Sequence, residues 1–282
     1  MASPGQWPII VLQNIKVRQG ENVNLVVCIK QVPEIERVRV DPDSGKVIIP
    51  QDSAMVNPFD EYAIEEALRI KEKRGGTVTV MTTGPEEFAA ALRAALALGA
   101  DEAVHLLDPG FAGSDAAATA TILAAGIGKL ENTSLVLFGK NAIDTDASSV
   151  PGYVAGRLNW PQVLFVRKFV ELTDKTAQVE RMTEDGYDVC QIPLPGVISV
   201  VKGINEPRLP SLKGKMRARK APITTFSAAD LGLDTLHLGA NSPTGVMKSA
   251  PLPPRKPGEI LQGEPDEVAA QLFEKLRADQ IL

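Results

Sequence analysis

Apolar positions along this chain follow two rhythms. Leu135 to Phe138 is a short continuous apolar run closed by Gly139, and beside helical segments it reads as a strand buried on both faces of a parallel sheet. Val23 to Ile29, Thr77 to Met81 and Glu102 to Leu106 read as further strands. Between them the spacing turns helical. Asn57-Pro-Phe-Asp60 starts a helix, with Asn57 as cap, Pro58 in the first helical position and Asp60 suited to the positive dipole end. Ile64, Ala67, Leu68 and Lys71 follow at helical spacing, Glu65 and Arg69 form an i,i+4 pair, and Gly75 is the stop. Ala-rich helices are expected over Pro85 to Leu98 and Ser114 to Lys129, and another over Val150 to Leu158 with Pro151 in its first turn. Strands alternating with helices predict an α/β fold: a mostly parallel, Rossmann-like sheet with flanking helices and right-handed crossovers.

The remaining segments depart from that alternation. Val38 to Val40 and Lys46 to Ile49 flank the turn sequence Asp41-Pro-Asp-Ser-Gly45 and predict a small hairpin. After Pro161, the runs Gln162 to Val170, Thr176 to Arg181, Tyr187 to Ile192 and Gly196 to Val201 have no helices between them, which predicts a β-hairpin-rich edge. From Lys202 the chain reads as irregular, rich in proline and basic residues, until an amphipathic helix over Pro265 to Ala278. The expected organisation is an extension with no assigned role (1–22), an α/β nucleotide-binding domain (23–225), and a C-terminal arm (226–282) lying against the main domain or a partner subunit.

Composition narrows the function. The chain has 282 residues, 44% apolar and 23% charged, with a net charge of −5. An acidic balance argues against a nucleic-acid protein. Cys28 and Cys190 are far apart, and the only histidines are His105 and His237, so zinc centres and histidine-based triads are not suggested. Cys28 is expected to pack as a small hydrophobe. No apolar run approaches membrane-spanning length, and the N-terminus lacks the order of a secretory signal, so a cytoplasmic location is expected.

The candidate chemistry sits after the Leu135 strand. A loop leaving the carboxyl end of a parallel strand for a helix N-terminus is where open α/β sheets bind ligands, and free amides there favour phosphate. Asp144 and Asp146 in that loop admit a divalent-metal DxD, paired acid/base carboxylates, or a carboxylate on a ribose hydroxyl with amides and the Ser148 and Ser149 hydroxyls facing phosphate. A capping turn without a ligand is the bland alternative. Asn57 to Asp60 and Thr82-Thr83-Gly84 are expected at the same rim. Gly126-Ile-Gly128 and Gly239 to Lys248 fail as nucleotide fingerprints by spacing. Five basic residues within Lys213 to Lys220 make a positive stripe without interleaved aromatics. A docking loop for an acidic partner and a merely solvated loop are both open readings of it.

In order, Val27-Cys-Ile-Lys30, Asn57-Pro-Phe-Asp-Glu61, Glu65-Glu66-Ala67-Leu68, Gly99-Ala-Asp101, Gly139-Lys-Asn-Ala-Ile-Asp144, Trp160-Pro-Gln162 and Asn205-Glu-Pro-Arg208 resemble the β subunit of electron-transfer flavoproteins, over roughly Val23 to Leu233. The resemblance implies a non-catalytic electron-carrier subunit in a heterodimer whose larger α subunit holds most of the redox FAD. It implies AMP, or a second FAD in a flavin-bifurcating form, held by Cys28, Asn57, Pro58, Phe59, Asp60, Thr83 and the loop Gly139-Lys140-Asn141-Ala142-Ile143-Asp144-Thr145-Asp146-Ala147-Ser148-Ser149-Val150. It further implies a recognition loop, Val200-Val201-Lys202-Gly203-Ile204-Asn205-Glu206-Pro207-Arg208-Leu209, with Ile204 at its apolar tip, for acyl-CoA dehydrogenase-type donors; a quinone oxidoreductase or similar protein is the acceptor. A stand-alone ATP-binding stress-type module is the alternative outside this class.

Overall fold

A computed structural model describes residues 23–41, 43–50, 53–250, 253 and 258–281. The expected extension over 1–22 lies outside the described residues. The chain runs β1 (Asn24–Cys28), β2 (Gln31–Pro33), β3 (Arg39–Val40), β4 (Val47–Ile48), β5 (Ala54–Val56), α1 (Pro58–Arg74), β6 (Val78–Thr83), α2 (Ala89–Leu98), β7 (Glu102–Leu106), α3 (Ala116–Gly128), β8 (Thr133–Gly139) and α4 (Val150–Leu158). It continues with β9 (Gln162–Leu172), β10 (Thr176–Met182), β11 (Tyr187–Pro193), β12 (Gly196–Val200), α5 (Leu212–Lys220), β13 (Thr224–Phe226), α6 (Ala228–Leu231) and α7 (Pro265–Ala278). No helix among the described residues is long and apolar enough to cross a membrane.

One nine-stranded sheet, in the order β11-β10-β9-β12-β8-β1-β6-β7-β13, organises the molecule. From β9 through β12, β8, β1, β6 and β7 to β13 the pairs are parallel; β9, β10 and β11 form an antiparallel meander at one edge. Successive strand residues face opposite sides, so each face builds its own core. Leu25 and Val27 pack with Ala63, Ile64, Leu92 and Leu96 of α1 and α2; Val26 and Cys28 pack with Ile122 and Ile127 of α3 and Val154 of α4. The fold class is therefore the expected one, and the β3–β4 pair is the small hairpin read from the sequence.

Two expectations are corrected. Gly196–Val200 does not extend a hairpin edge: all five residues are buried, and β12 lies between β8 and β9, parallel to both. Its unbroken apolar run suits a strand covered on both faces. Nor is the chain irregular after Lys202. The basic stretch forms α5, and β13 adds a strand beyond β7. Helix α5 has little apolar surface to announce it, since only Ala218 is buried. Ser211 caps it by accepting from the Gly214 amide at 3.0 Å. Arginines then tie its end to that of α2: Arg93 donates to the Ala218 carbonyl at 2.6 Å, and Arg217 donates to the Leu96 and Ala100 carbonyls at 2.8 Å each.

Candidate functional site

Strand β1 is the topological switch point. The chain steps from β1 to β6 and β7 on one side, then returns to place β8 and β12 on the other. A crevice outside the carboxyl ends of the strands where the direction reverses is the general ligand position of open α/β sheets. Lys30 follows β1 there, Gly139 ends β8, and the start of α1 closes over both.

Asp60 joins the two strand ends. Its carboxylate accepts from the Lys30 amide at 2.8 Å and from the Gly139 amide at 3.2 Å. Gly139 allows this approach: a Cβ there would lie 2.5 Å from Asp60 Oδ1 and 2.5 Å from the Phe59 carbonyl carbon. Burial pushes the Asp60 carboxyl up to about 7, against the pull of the Lys30 amide, the Asn57 side chain and the Gly139 amide. The sign of the linkage follows. Below the ordinary value of 3.8 the group is protonated folded or unfolded; as pH rises through about 7 the unfolded chain has already released a proton that the folded chain retained, and stability is lost. Urea midpoints are thus expected to fall between pH 4.5 and 7.5 in the native chain relative to Asp60→Asn. Parallel curves for the two proteins would contradict the assignment.

Asn57 corrects its expected role. It occupies the cap position of α1, yet its side chain makes no capping bond. Instead Nδ2 donates to the Asn141 carbonyl at 2.8 Å, and Oδ1 accepts from the Ile143 amide at 3.1 Å, so both ends of the amide grip the loop after β8. That loop folds back on itself, with the Asp146 amide donating to the Ala142 carbonyl at 2.7 Å and Asp146 at φ 52°. Asn141 Nδ2 donates to the Asp146 carboxylate. Asn141 Oδ1, by contrast, is buried with no partner among the described residues. A buried acceptor left unmet costs its desolvation, so this atom fits a site that a ligand donor completes.

Nothing local in the sequence predicts a role for Lys30. Its Nζ reaches both oxygens of Asp144, at 2.6 and 2.8 Å, and spans the crevice between β1 and β8. The available signal is a single cation two residues beyond a mostly apolar strand, at the ligand-binding edge. With Asp144 held by Lys30 and Asp146 by Asn141, neither carboxylate of the DxD stands open as half of a metal site or acid/base pair. Among the described residues no group of three or more His, Cys, Asp or Glu is placed to hold a metal ion.

The other expected contributors take clear positions. Thr83 ends β6 beside β1, while the hydroxyl of its neighbour Thr82 donates to the Ile29 carbonyl at 2.8 Å. The Cys28 thiol is packed in the core with Met81 and Val136, and burial raises its pKa far above the ordinary thiol value. A thiol so packed offers no nucleophile. Ser149 precedes α4 but makes no side-chain cap, leaving the first amides of that helix without such a partner. Amides, two serine hydroxyls and Lys30 are donors suited to a phosphate, and Asn141 Oδ1 is an acceptor suited to a hydroxyl or an amino group.

The second expected site lies along the middle and far turns of α1. Val200 and Val201 are buried, so the free segment begins at Lys202. Asn205 Nδ2 donates to the Tyr62 carbonyl at 3.0 Å and to Glu66 at 2.9 Å. Arg208 forks onto Glu65 at 2.7 and 3.2 Å and onto Glu72 at 2.6 and 3.2 Å, and Arg69 joins Glu65 at 2.6 Å as the sequence predicted. Ile204 is half-buried and packs against the α1-side core. The exposed apolar residue of the segment is Leu209, at 91%.

Residues 45–231 match the electron transfer flavoprotein domain family. The caffeyl-CoA reductase–Etf complex subunit CarD of Acetobacterium woodii is 42% identical over 92% of this chain and 100% of its own length. The electron transfer flavoprotein β subunit of Thermoanaerobacterium thermosaccharolyticum is 40% identical over 92% and 100%, and that of Mycobacterium tuberculosis 39% over 92% and 99%. With a switch-point crevice of this kind and relatives matched over nearly their whole length, the chain belongs to the electron transfer flavoprotein β-subunit family.

Proposed function

We propose that this chain is the β subunit of a heterodimeric carrier, that it binds the AMP moiety of an adenine nucleotide in the β1/β8 crevice, and that it supports an FAD held mainly by an α subunit. The observation that carries the reading is the buried Asn141 Oδ1, which has no partner among the described residues, near amides and hydroxyls at the switch point. Asn57 and Asp60 would fix the loop, the amides before and within the start of α4 would face phosphate, and Lys30 would supply a nearby positive charge. When bound, the flavin supplies the redox chemistry, while the protein positions it and excludes water. Electrons would pass from acyl-CoA dehydrogenase-type donors to a quinone oxidoreductase or similar acceptor, with the segment Lys202 to Leu209 contributing to partner recognition. Helix α7 supports a docked C-terminal arm: none of its residues is buried, and Leu272 and Phe273 are half-exposed.

A second FAD in place of AMP is the second reading. Its AMP moiety would make the same contacts, and CarD is by name part of a reductase–Etf complex. Co-expression with the α subunit, followed by denaturation and chromatography of the released cofactors, separates the two. One FAD and one AMP per heterodimer is the expected result. Two FAD would establish the bifurcating form, and a stable colourless monomer that hydrolyses ATP would overturn both.

A further inference from the structure

We propose that His105 and Thr82, whose side chains are committed to backbone carbonyls, are positioning residues that hold Thr83 at the rim of the crevice and so set how firmly the nucleotide is kept. This rests on the nucleotide reading above and adds to it two residues outside the loops assigned to the site. Beyond the last bond of a strand ladder, backbone groups need other partners. Along the carboxyl edge of this sheet, side chains supply them. From β7 to β6, His105 Nε2 lies 3.1 Å from the Gly84 carbonyl oxygen. From β6 to β1, the Thr82 hydroxyl donates to the Ile29 carbonyl at 2.8 Å, and from β1 to β8 the Asp60 carboxylate bridges the Lys30 and Gly139 amides. Neighbouring strand ends are thus laced in sequence from β7 to β8, across the switch point.

His105 suits the far end of that lacing. It is buried, pairs in register with Thr82, and faces an oxygen that can only accept, so Nε2 carries the proton. Burial pushes the imidazole below its ordinary pKa, which keeps the ring neutral. The backbone contact that it reinforces is a long one: the Gly84 amide meets the Leu106 carbonyl at 3.4 Å. Gly84 itself stands at φ 154°, a conformation that favours glycine. Thr83 lies between the two tied residues, and its own hydroxyl has no hydrogen-bond partner among the described residues. Strand alternation puts it on the same face as Met81 and Cys28, the face covered by α3 and α4. A hydroxyl fixed on both sides yet left open can donate to a phosphate oxygen or pair with a ribose hydroxyl. Its neighbours hold it without touching the ligand.

The test uses the full chain with its α subunit and FAD. Release of bound AMP, or of the second FAD where the native complex carries two, is timed by gel filtration after dilution for the native complex, His105→Leu, His105→Gln and Thr82→Val. Leucine fills the space without a donor, whereas the glutamine amide replaces the N–H of Nε2. His105→Leu and Thr82→Val are each expected to release the nucleotide about tenfold faster with the α-subunit FAD retained, and His105→Gln to stay within about twofold of native. Release at the native rate from His105→Leu overturns the proposal. So does release from His105→Gln as fast as from His105→Leu, which would make the ring a filler of the core. If His105→Leu does not fold, Thr82→Val decides alone, and native-rate release from it overturns the proposal. A native complex holding neither AMP nor a second FAD would instead sink the nucleotide reading, and the role given to the lacing with it.

Discussion

Replacing Gly139 by alanine is expected to cost about 3 kcal/mol of stability, the upper part of the range for overpacking a filled site, and, on the proposed function, to empty the crevice of nucleotide. The added methyl would lie 2.5 Å from Asp60 Oδ1 and 2.7 Å from the Asp60 amide nitrogen, both close to the start of α1. The amide nitrogen is backbone, and the Asp60 carboxylate is held by the Lys30 and Gly139 amides, so neither moves aside freely. Relief requires α1 to withdraw from β8, and Asn57 sits one turn back on the same entry, so its grip on Ile143 loosens with it. Urea unfolding of the isolated chain and nucleotide released from the heterodimer would measure the two effects. A variant with native stability and full nucleotide would show that the helix start has slack that the close packing does not suggest.

Arg208→Ala is expected to cost a similar amount, about 3 kcal/mol, by a different route. The Glu65 side chain is only 4% exposed, and removing one partner from a buried carboxylate leaves charge uncompensated. Arg69 remains as a second partner, which holds the cost to the low end of that class. Burial alone would raise the Glu65 carboxyl, but hydrogen bonds from Arg208 and then Arg69 outweigh it and lower the pKa below the ordinary 4.5. The stability supplied by the pair is therefore present above about pH 4.5 and lost as pH falls through the depressed value. The gap between the native chain and Arg208→Ala is expected to close in acid. Arg208→Lys should recover only part of it, since an ammonium cannot fork across two carboxylates.

The sequence made much of the fold legible, for reasons visible in single elements. Strand β7 and helices α4 and α7 have the bounds read from their patterns: β7 is a short run closed by the turn sequence Asp108-Pro-Gly110, and each helix has a proline in its first turn. Helix α5 was hidden because what seats it is a glycine, an alanine and two arginine-to-carbonyl clasps, none of which produces an apolar period. Strand β12 was misplaced because neighbours in a sheet depend on the long-range return of the chain, which local alternation does not encode. At the site, Asn57 and Asp60 were found at the right rim but with local roles, capping and dipole. Their side chains instead reach 79 to 86 residues along the chain, to Gly139, Asn141 and Ile143. Arg208 belongs to the Asn205-Glu-Pro-Arg208 motif, yet its partners Glu65 and Glu72 are far away in sequence. Only the fold brings those charges together.

The mutual arginine clasp between α2 and α5 bears on temperature. Apolar contacts weaken on cooling, whereas a guanidinium bonded to backbone oxygens does not depend on releasing water from hydrocarbon. Helix α5 should accordingly hold its seat in the cold, when segments retained by greasy contact alone begin to loosen, and a carrier chilled toward freezing would keep this flank of its surface in working shape.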